Sequence, residues 1–168
     1  YSLDTFFQAN LSILPAVMNP LRSLLKLSPE THFFDLYAGV GLFWVVFAGE
    51  VKAGWAVEES GSAGRLAEFN HRHHGLSNVS LLEGKTEDLL EKMLKEAGDG
   101  GPQAALADPP RQGLSPLALE ALVQAKSFKP LVYISCNPAA LMRDLASFLV
   151  AGWSKLTATP GSSVSRFS

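Results

Sequence analysis

The sequence predicts an α/β protein built on a doubly wound, mostly parallel sheet. Three observations carry that expectation. From His32 onward, short apolar runs of strand length alternate with stretches of helical periodicity. The first run leads directly into the glycine pair Gly39 and Gly41, the tight turn that such folds place between a first strand and its helix. The run Leu131 to Ile134 is apolar with a β-branched and aromatic bias. It stops at Ser135-Cys136-Asn137, and Pro138 then suits the first turn of a helix. A chain of 168 residues, 47% hydrophobic and 18% charged, is long enough for one domain with a real core.

Tyr1 to Asn10 is mixed and contains the cluster Phe6-Phe7-Gln8-Ala9-Asn10. From Leu11 to Leu27 apolar residues recur at helical spacing. Pro15 and Pro20 interrupt them, so the main helix is expected from about Pro20, ending at Ser28-Pro29. Residues 1–30 thus form a helical lead-in and 31–168 the sheet domain. His32 to Tyr37 is the first strand, and Leu42 to Ala48 a short helix. Val51 to Val57 is the second strand, closed by Glu58-Glu59, and Ser60 caps a helix reaching His74. Val79 to Leu82 is the third strand. Thr86 to Ala97 is a helix with Glu87 and Asp88 in its first turn, where the dipole favours acids. Ala104 to Ala107 is the fourth strand, Pro116 to Ala125 a helix, Leu131 to Ile134 the fifth strand and Pro138 to Leu149 its helix. Ser154 to Thr159 is a candidate sixth strand.

Composition narrows the function classes. A net charge of −2 is not the basic balance of a protein that holds nucleic acid by charge alone, so any RNA contact must come from a local patch or another segment. One cysteine permits no internal disulfide and fits a reducing compartment, here the cytoplasm. The longest apolar run, near Leu42 to Gly49, is too short to cross a bilayer. The start at Tyr1 has neither an initiator Met nor a signal-peptide pattern, which suggests an excised or processed fragment. A monomer is expected.

Four constellations carry chemistry, each with a plainer alternative. In Asp35-Leu36-Tyr37-Ala38-Gly39-Val40-Gly41 the glycines let backbone approach a ligand, although Trp44 stands where a dinucleotide site wants a third glycine. A structural turn explains them equally well. Glu58, about 20 residues further on, can accept both ribose hydroxyls of an adenosine; alone it is a solvated strand end. Asp108-Pro109-Pro110-Arg111 is a stiff strand end beside a carboxylate, suited to presenting a planar base, or simply a rigid turn. Cys136 lies at a strand-to-helix junction, where a helix N-terminus favours a thiolate nucleophile. Most cysteines are instead buried and inert. His71, His73 and His74 lack the ligand spacing of a metal site, so no metal is expected. Trp44, Trp55 and Trp153 are expected in core or edge packing.

Taken together, Phe6-Phe7-Gln8-Ala9-Asn10, Asp35 to Gly41, Glu58, Asp108-Pro109-Pro110-Arg111-Gln112-Gly113-Leu114 and Ser135-Cys136-Asn137-Pro138 resemble the RNA 5-methyluridine methyltransferases. The likeness runs from about Phe6 to about Trp153. It implies a class I, Rossmann-like methyltransferase domain using S-adenosylmethionine, with RNA (tRNA or rRNA) as the partner and no membrane. It further implies that Gln8, Tyr37, Glu58 and Asp108, with the turn glycines Gly39 and Gly41, bind the cofactor. Cys136 would be the nucleophile that adds to carbon 6 of a uracil. The sequence departs from the family pattern at Ala38, where cysteine is common, at Leu42, where a polar residue is usual, and at Lys85, where an acid or amide often meets the adenine. Leu156 to Ser168 contains no carboxylate to match the family's terminal Glu base, so the last strand is expected to be truncated. Two other readings stay open. One is a degenerate, non-catalytic domain that binds RNA or a protein partner. The other is a methyltransferase acting on an exocyclic nitrogen, against which Arg111 and Cys136 speak.

Overall fold

The computed structural model describes residues 14–154, 157–158 and 164–167. The elements in order are α1 (Leu14–Leu25), β1 (His32–Asp35), α2 (Leu42–Phe47) with a 3-10 turn over Ala48–Glu50, β2 (Ala53–Glu58) and α3 (Gly61–His73). They continue with β3 (Val79–Glu83), α4 (Thr86–Ala97), β4 (Gln103–Ala107), α5 (Pro116–Gln124), β5 (Phe128–Ile134), α6 (Pro138–Val150), β6 (Thr157–Ala158) and β7 (Val164–Phe167). The sheet order is β3-β2-β1-β4-β5-β7-β6. The pairs β3–β2, β2–β1, β1–β4 and β4–β5 are parallel, and β7 runs antiparallel to β5 and β6.

The central strands are buried along most of their length because helices cover both faces. Alternation divides their side chains. Phe34, Leu36, Trp55, Val57, Ala105, Ala107, Leu131 and Tyr133 face one layer with Leu90 and Met93 of α4, Leu122 of α5 and Phe148 of α6. Phe33, Ala56, Ala104, Leu106 and Val132 face the other, with Leu21 and Leu25 of α1, Trp44 and Phe47 of α2 and Ala67 of α3. All three tryptophans are in these cores. Trp44 is fully buried, the Trp55 ring N–H donates to Glu96 at 2.9 Å, and that of Trp153 donates to the Val123 carbonyl at 2.9 Å.

Three expectations need correction. Pro20 does not open the first helix; it lies inside α1. A helix-interior proline costs about 3 kcal/mol, but Met18, Leu21 and Leu25 are buried on the face packed against β4 and β5. Each such side chain contributes roughly 1.5–3 kcal/mol on burial, which offsets the proline. The fifth strand begins at Phe128 rather than Leu131. Its register against β4 goes from Gln103↔Phe128 to Ala105↔Leu131, so β5 carries one extra residue there. Such an irregularity accommodates Pro130, which has no N–H for the ladder. At the far end two strands stand where one was expected. β6 is only Thr157–Ala158, and β7 is the strand that pairs with β5.

The chain winds from β1 out to β2 and β3, then crosses back to β4 and β5. The topological switch therefore lies between β1 and β4, where successive connections leave in opposite directions, the point at which folds of this kind form their ligand crevice at the carboxyl ends of the strands.

Candidate active site at the carboxyl edge of the sheet

The loop after β1 forms one wall of the crevice. Gly39 and Gly41 take φ of +56° and +90°, left-handed values that side-chain-bearing residues rarely adopt. Their tasks differ. A Cβ on Gly39 would meet nothing within 4 Å, so the space before it is open. A Cβ on Gly41 would lie 2.6 Å from the Trp44 ring, and the Gly41 N–H is used within the turn, donating to the Ala38 carbonyl at 2.8 Å. Gly39 borders the crevice, whereas Gly41 lets α2 pack beneath it.

Glu58 ends β2 beside this turn. Its Oε2 accepts from the Gly39 N–H at 2.7 Å and its Oε1 from the Ser60 N–H at 2.7 Å. These amides fix the plane of the carboxylate while leaving further lone pairs on both oxygens. Ser60, the expected cap of α3, accepts in turn from the Ala63 N–H. Tyr37 is half-buried, and burial, then the Glu87 carboxylate, push its hydroxyl up to about 12. It is therefore a neutral phenol at ordinary pH.

Two aspartates flank the switch point. In register, Asp35 of β1 stands beside Ala56 of β2 and Leu106 of β4. Glu58 and Asp108 are each two residues beyond those partners, so all three carboxylates leave the same face of the sheet. Asp35 is fully buried and neither oxygen has a partner at hydrogen-bond geometry. Burial first, then the Asp108 and Glu58 charges, push its carboxyl up to about 8, although the backbone of Trp44 and Tyr37 opposes the shift. Asp108 exposes its side chain to solvent yet is crowded by protein, and loss of hydration raises it to about 6.

The loops after β4 and β5 form the opposite wall. Cys136 is exposed. The residues around it are held in place. Ser135, which is buried, accepts from the Asn137 N–H at 3.1 Å. Asn137 caps α6, its Oδ1 accepting from the amides of Ala139 at 3.1 Å and Ala140 at 3.4 Å. Its Nδ2 donates to the Arg111 carbonyl at 3.1 Å. One side chain thus ties the cysteine loop to the Asp-Pro-Pro-Arg loop. A second lock lies behind it. Asp144 is fully buried, and its Oδ2 accepts from the Leu114 N–H at 2.9 Å and the Tyr133 hydroxyl at 2.7 Å. Arg143 donates to Asp144 Oδ1 at 2.8 Å and to the Gln112 carbonyl at 3.0 Å.

The fold therefore brings Tyr37, Gly39, Glu58, Asp108 and Cys136 to the same edge of the sheet, from the ends of four strands. Gly41 lies in the same turn with its N–H committed to the Ala38 carbonyl, and Gln8 lies outside the described residues. Lys85 precedes α4 with its Nζ 3.9 Å from Glu59. In the sequence Asp35 stands out only as the first residue of its motif, and Asp144 only as a position within the expected helix Pro138 to Leu149. The usable signal was a charged residue at an otherwise apolar position of a strand and of a helix. A separate groove of about 460 Å³ runs from Glu58 along α3 and β3, lined by Gly61, Gly64, Arg65 and Leu82 among others, but not by Asp108 or Cys136. Of the histidines, His71 packs on Trp44 and His73 stacks on Phe69. Among the described residues no group of three or more His, Cys, Asp or Glu is arranged to hold a metal, and no helix is long and apolar enough to cross a membrane.

Comparison with known proteins agrees with this architecture. An uncharacterized RNA methyltransferase of Listeria innocua is 36% identical over 145 residues, 86% of this chain and 31% of the relative. Another from Lactobacillus johnsonii is 33% identical over 152 residues, 90% of this chain and 33% of the relative. The chain thus spans about a third of the length of these curated relatives. Among solved structures, the Pyrococcus abyssi tRNA (uracil-54, C5)-methyltransferase in complex with S-adenosyl-L-homocysteine superposes with a TM-score of 0.72. It is 20% identical, and the superposition covers 98% of this chain and 40% of that one, a likeness of fold. The profile of the family described as tRNA (uracil-5-)-methyltransferase matches residues 2–152, nearly the whole chain, and the protein therefore belongs to that family.

Proposed function

We propose that this chain carries the catalytic core of an S-adenosylmethionine-dependent RNA methyltransferase that methylates carbon 5 of a uridine in tRNA or rRNA through a covalent adduct on Cys136. The observation that carries the reading is the pairing of an exposed thiol with a rigid carboxylate loop across the Asn137–Arg111 bridge of 3.1 Å. The residues at the opposite wall fit an adenosine-containing cofactor. Gly39 leaves open space, and Glu58 has its carboxylate oriented by two amides with lone pairs to spare for ribose hydroxyls. Asp35 supplies a buried carboxyl whose oxygens have no hydrogen-bond partner, and Tyr37 and Asp108 border the same edge. The cofactor, when bound, supplies an electrophilic methyl group.

The chemistry asked of the chain is activation of the base. Carbon 5 of uracil is too weak a nucleophile until a thiolate adds to carbon 6. The Cys136 sulfur forms the bond to carbon 6, and the displaced electron pair becomes an enolate whose carbon 5 takes the methyl group. A base then takes the carbon 5 proton, and the electron pair of that bond restores the double bond as the sulfur leaves as thiolate. The target nucleotide must leave its stack to reach an exposed strand-end thiol, and the stiff Pro109-Pro110 segment forms a wall against which a planar base can rest.

The test uses RNA in which 5-fluorouridine replaces uridine. Fluorine at carbon 5 cannot leave as a proton does, so the adduct persists after methyl transfer and is seen as a shifted band or an added mass. The expected result is a cofactor-dependent adduct with the parent protein and none with Cys136→Ala, whose stability stays within about 0.5 kcal/mol of the parent because the side chain is exposed. An adduct with Cys136→Ala, or none with the parent, removes the nucleophile assignment.

A further inference from the structure

We propose that Arg143 is a positioning residue for the methylation: its guanidinium grips the far half of the Asp-Pro-Pro-Arg-Gln-Gly-Leu loop and fixes the tilt at which the proline segment presents a base to Cys136. The inference rests on the methyltransferase reading above and assigns a role within that site.

The N-terminus of α6 follows the thiol loop, and its side chains hold the loop after β4 at successive residues. Asn137 Nδ2 donates to the Arg111 carbonyl at 3.1 Å. Arg143 Nη2 donates to the carbonyls of Gln112 at 3.0 Å and Leu114 at 3.4 Å, and Asp144 Oδ2 accepts from the Leu114 N–H at 2.9 Å. A tether at Arg111 fixes a spacing but leaves the segment free to pivot about it. Attachment at two further carbonyls removes the pivot. The guanidinium is itself oriented, since its Nε donates to the fully buried Asp144 at 2.8 Å. A planar fork of donors meets a carboxylate with one N–H and backbone carbonyls with another, which the single ammonium of a lysine cannot do in the same rigid geometry. Gly113 makes room for this contact. Its φ is +84°, and a Cβ there would lie 2.6 Å from both Arg143 Nη2 and Asp144 Oδ2.

Stability alone does not call for these bonds. The Arg143 side chain is 56% exposed and Gln112 is exposed, so water can take over that contact at little cost. What water cannot replace is the fixed position of Pro109 and Pro110, which lead directly into Arg111. A reacting group misplaced by about 1 Å loses on the order of 100-fold in rate, and here the base must meet a thiol carried by the neighbouring loop.

The experiment compares the parent chain with Arg143→Lys, which keeps a positive charge beside Asp144 but cannot hold both carbonyls. Three quantities are measured: the rate of cofactor-dependent adduct formation on 5-fluorouridine RNA, S-adenosylmethionine affinity by calorimetry, and the rate at which iodoacetamide alkylates Cys136. The adduct rate is expected to fall roughly 10- to 100-fold while the other two stay within about twofold, because the thiol and the opposite wall are untouched. A damaged fold would lower all three together, and that result overturns the positioning role. An undiminished adduct rate in the folded variant overturns it too, as does RNA affinity that survives in Arg143→Lys with full rate and is lost only when the charge is removed, the mark of a phosphate contact. Should the lysine fold poorly, Arg143→Met combined with Asp144→Asn removes both charges together and leaves no buried ion without its partner. The same loss of adduct rate is expected there, and an unchanged rate refutes the assignment. Absence of any adduct in the parent removes the methyltransferase reading itself, whereas a parent adduct matched by the variants removes only the role of Arg143.

Discussion

Replacing Asp144 with alanine should destabilise the protein by about 3–4 kcal/mol, a magnitude that follows from what the side chain leaves behind. The variant strands two buried donors, the Leu114 N–H and the Tyr133 hydroxyl, which sit 2.9 and 2.7 Å from Oδ2. A buried donor without an acceptor costs about 1–3 kcal/mol. Leu114 and Tyr133 are 5% and 0% exposed, so water cannot replace the lost acceptor. Arg143 adds little, because its side chain is 56% exposed and recovers hydration once freed. Taking about 1.5–2 kcal/mol per stranded donor gives the total. For a domain of this size it corresponds to a fall in Tm of roughly 6–16 °C. Urea unfolding of the parent, Asp144→Ala, Tyr133→Phe and the double variant forms a cycle that isolates the Tyr133–Asp144 term. Tyr133→Phe alone should cost only about 1 kcal/mol, because it removes donor and need together. If Asp144→Ala unfolds within 0.5 kcal/mol of the parent, the claim that this carboxylate locks residues 112–114 onto α6 is wrong.

Other perturbations have equally definite outcomes. Asp35 and Asp108 carry folded-state pKa values above the ordinary carboxylate range, at about 8 and about 6, so the folded protein holds more protons than the unfolded chain between pH 4 and 8. Stability therefore falls as pH rises through that window. Urea unfolding at pH 5 and pH 8 should show the decline, and Asp35→Asn should remove most of it and be more stable than the parent at pH 8 by at least about 1 kcal/mol. An undiminished decline in the variant would place the titration elsewhere. Asn137→Ala removes the acceptor for two helix amides and the donor to the Arg111 carbonyl, so stability should drop by about 1–2 kcal/mol. The rate of adduct formation should fall further than S-adenosylmethionine affinity does. Gly41→Ala should cost over 2 kcal/mol, since its new methyl meets the buried Trp44 ring at 2.6 Å. Gly39→Ala, with open space, should cost only the left-handed backbone, about 1–2 kcal/mol. Thermal unfolding of the two variants checks the order.

Much of this fold was legible because the signals were local. The helix over Thr86–Ala97 and the Ser60 cap each follow from residues within a few positions of one another. The carboxyl ends of β1, β2, β4 and β5 were marked by the same polar residues that became the candidate site. What stayed hidden depends on contacts between distant segments. Pro20 looked like a helix start because its cost is visible in the sequence, while the burial of Leu21 and Leu25 under the sheet is not. Val164–Phe167 has too few residues to announce a strand, and its pairing with β5 supplies what its own composition lacks. Asp35 and Asp108 become neighbours only through the crossover from β3 to β4, so their mutual effect on ionisation had no signature in either motif. Asp144 could be placed on a helix from periodicity, but not beneath the loop whose amide it receives.

The double duty of Asn137 limits what its position can accept. An aspartate there would still receive the helix amides, but it would turn a second oxygen toward the Arg111 carbonyl and push the proline segment away; a serine would cap yet fall short of the far loop. Only an amide of that length both gives and takes at the required reach. The cysteine loop and the Asp-Pro-Pro-Arg segment therefore hold their spacing through a single carboxamide rather than through either loop alone.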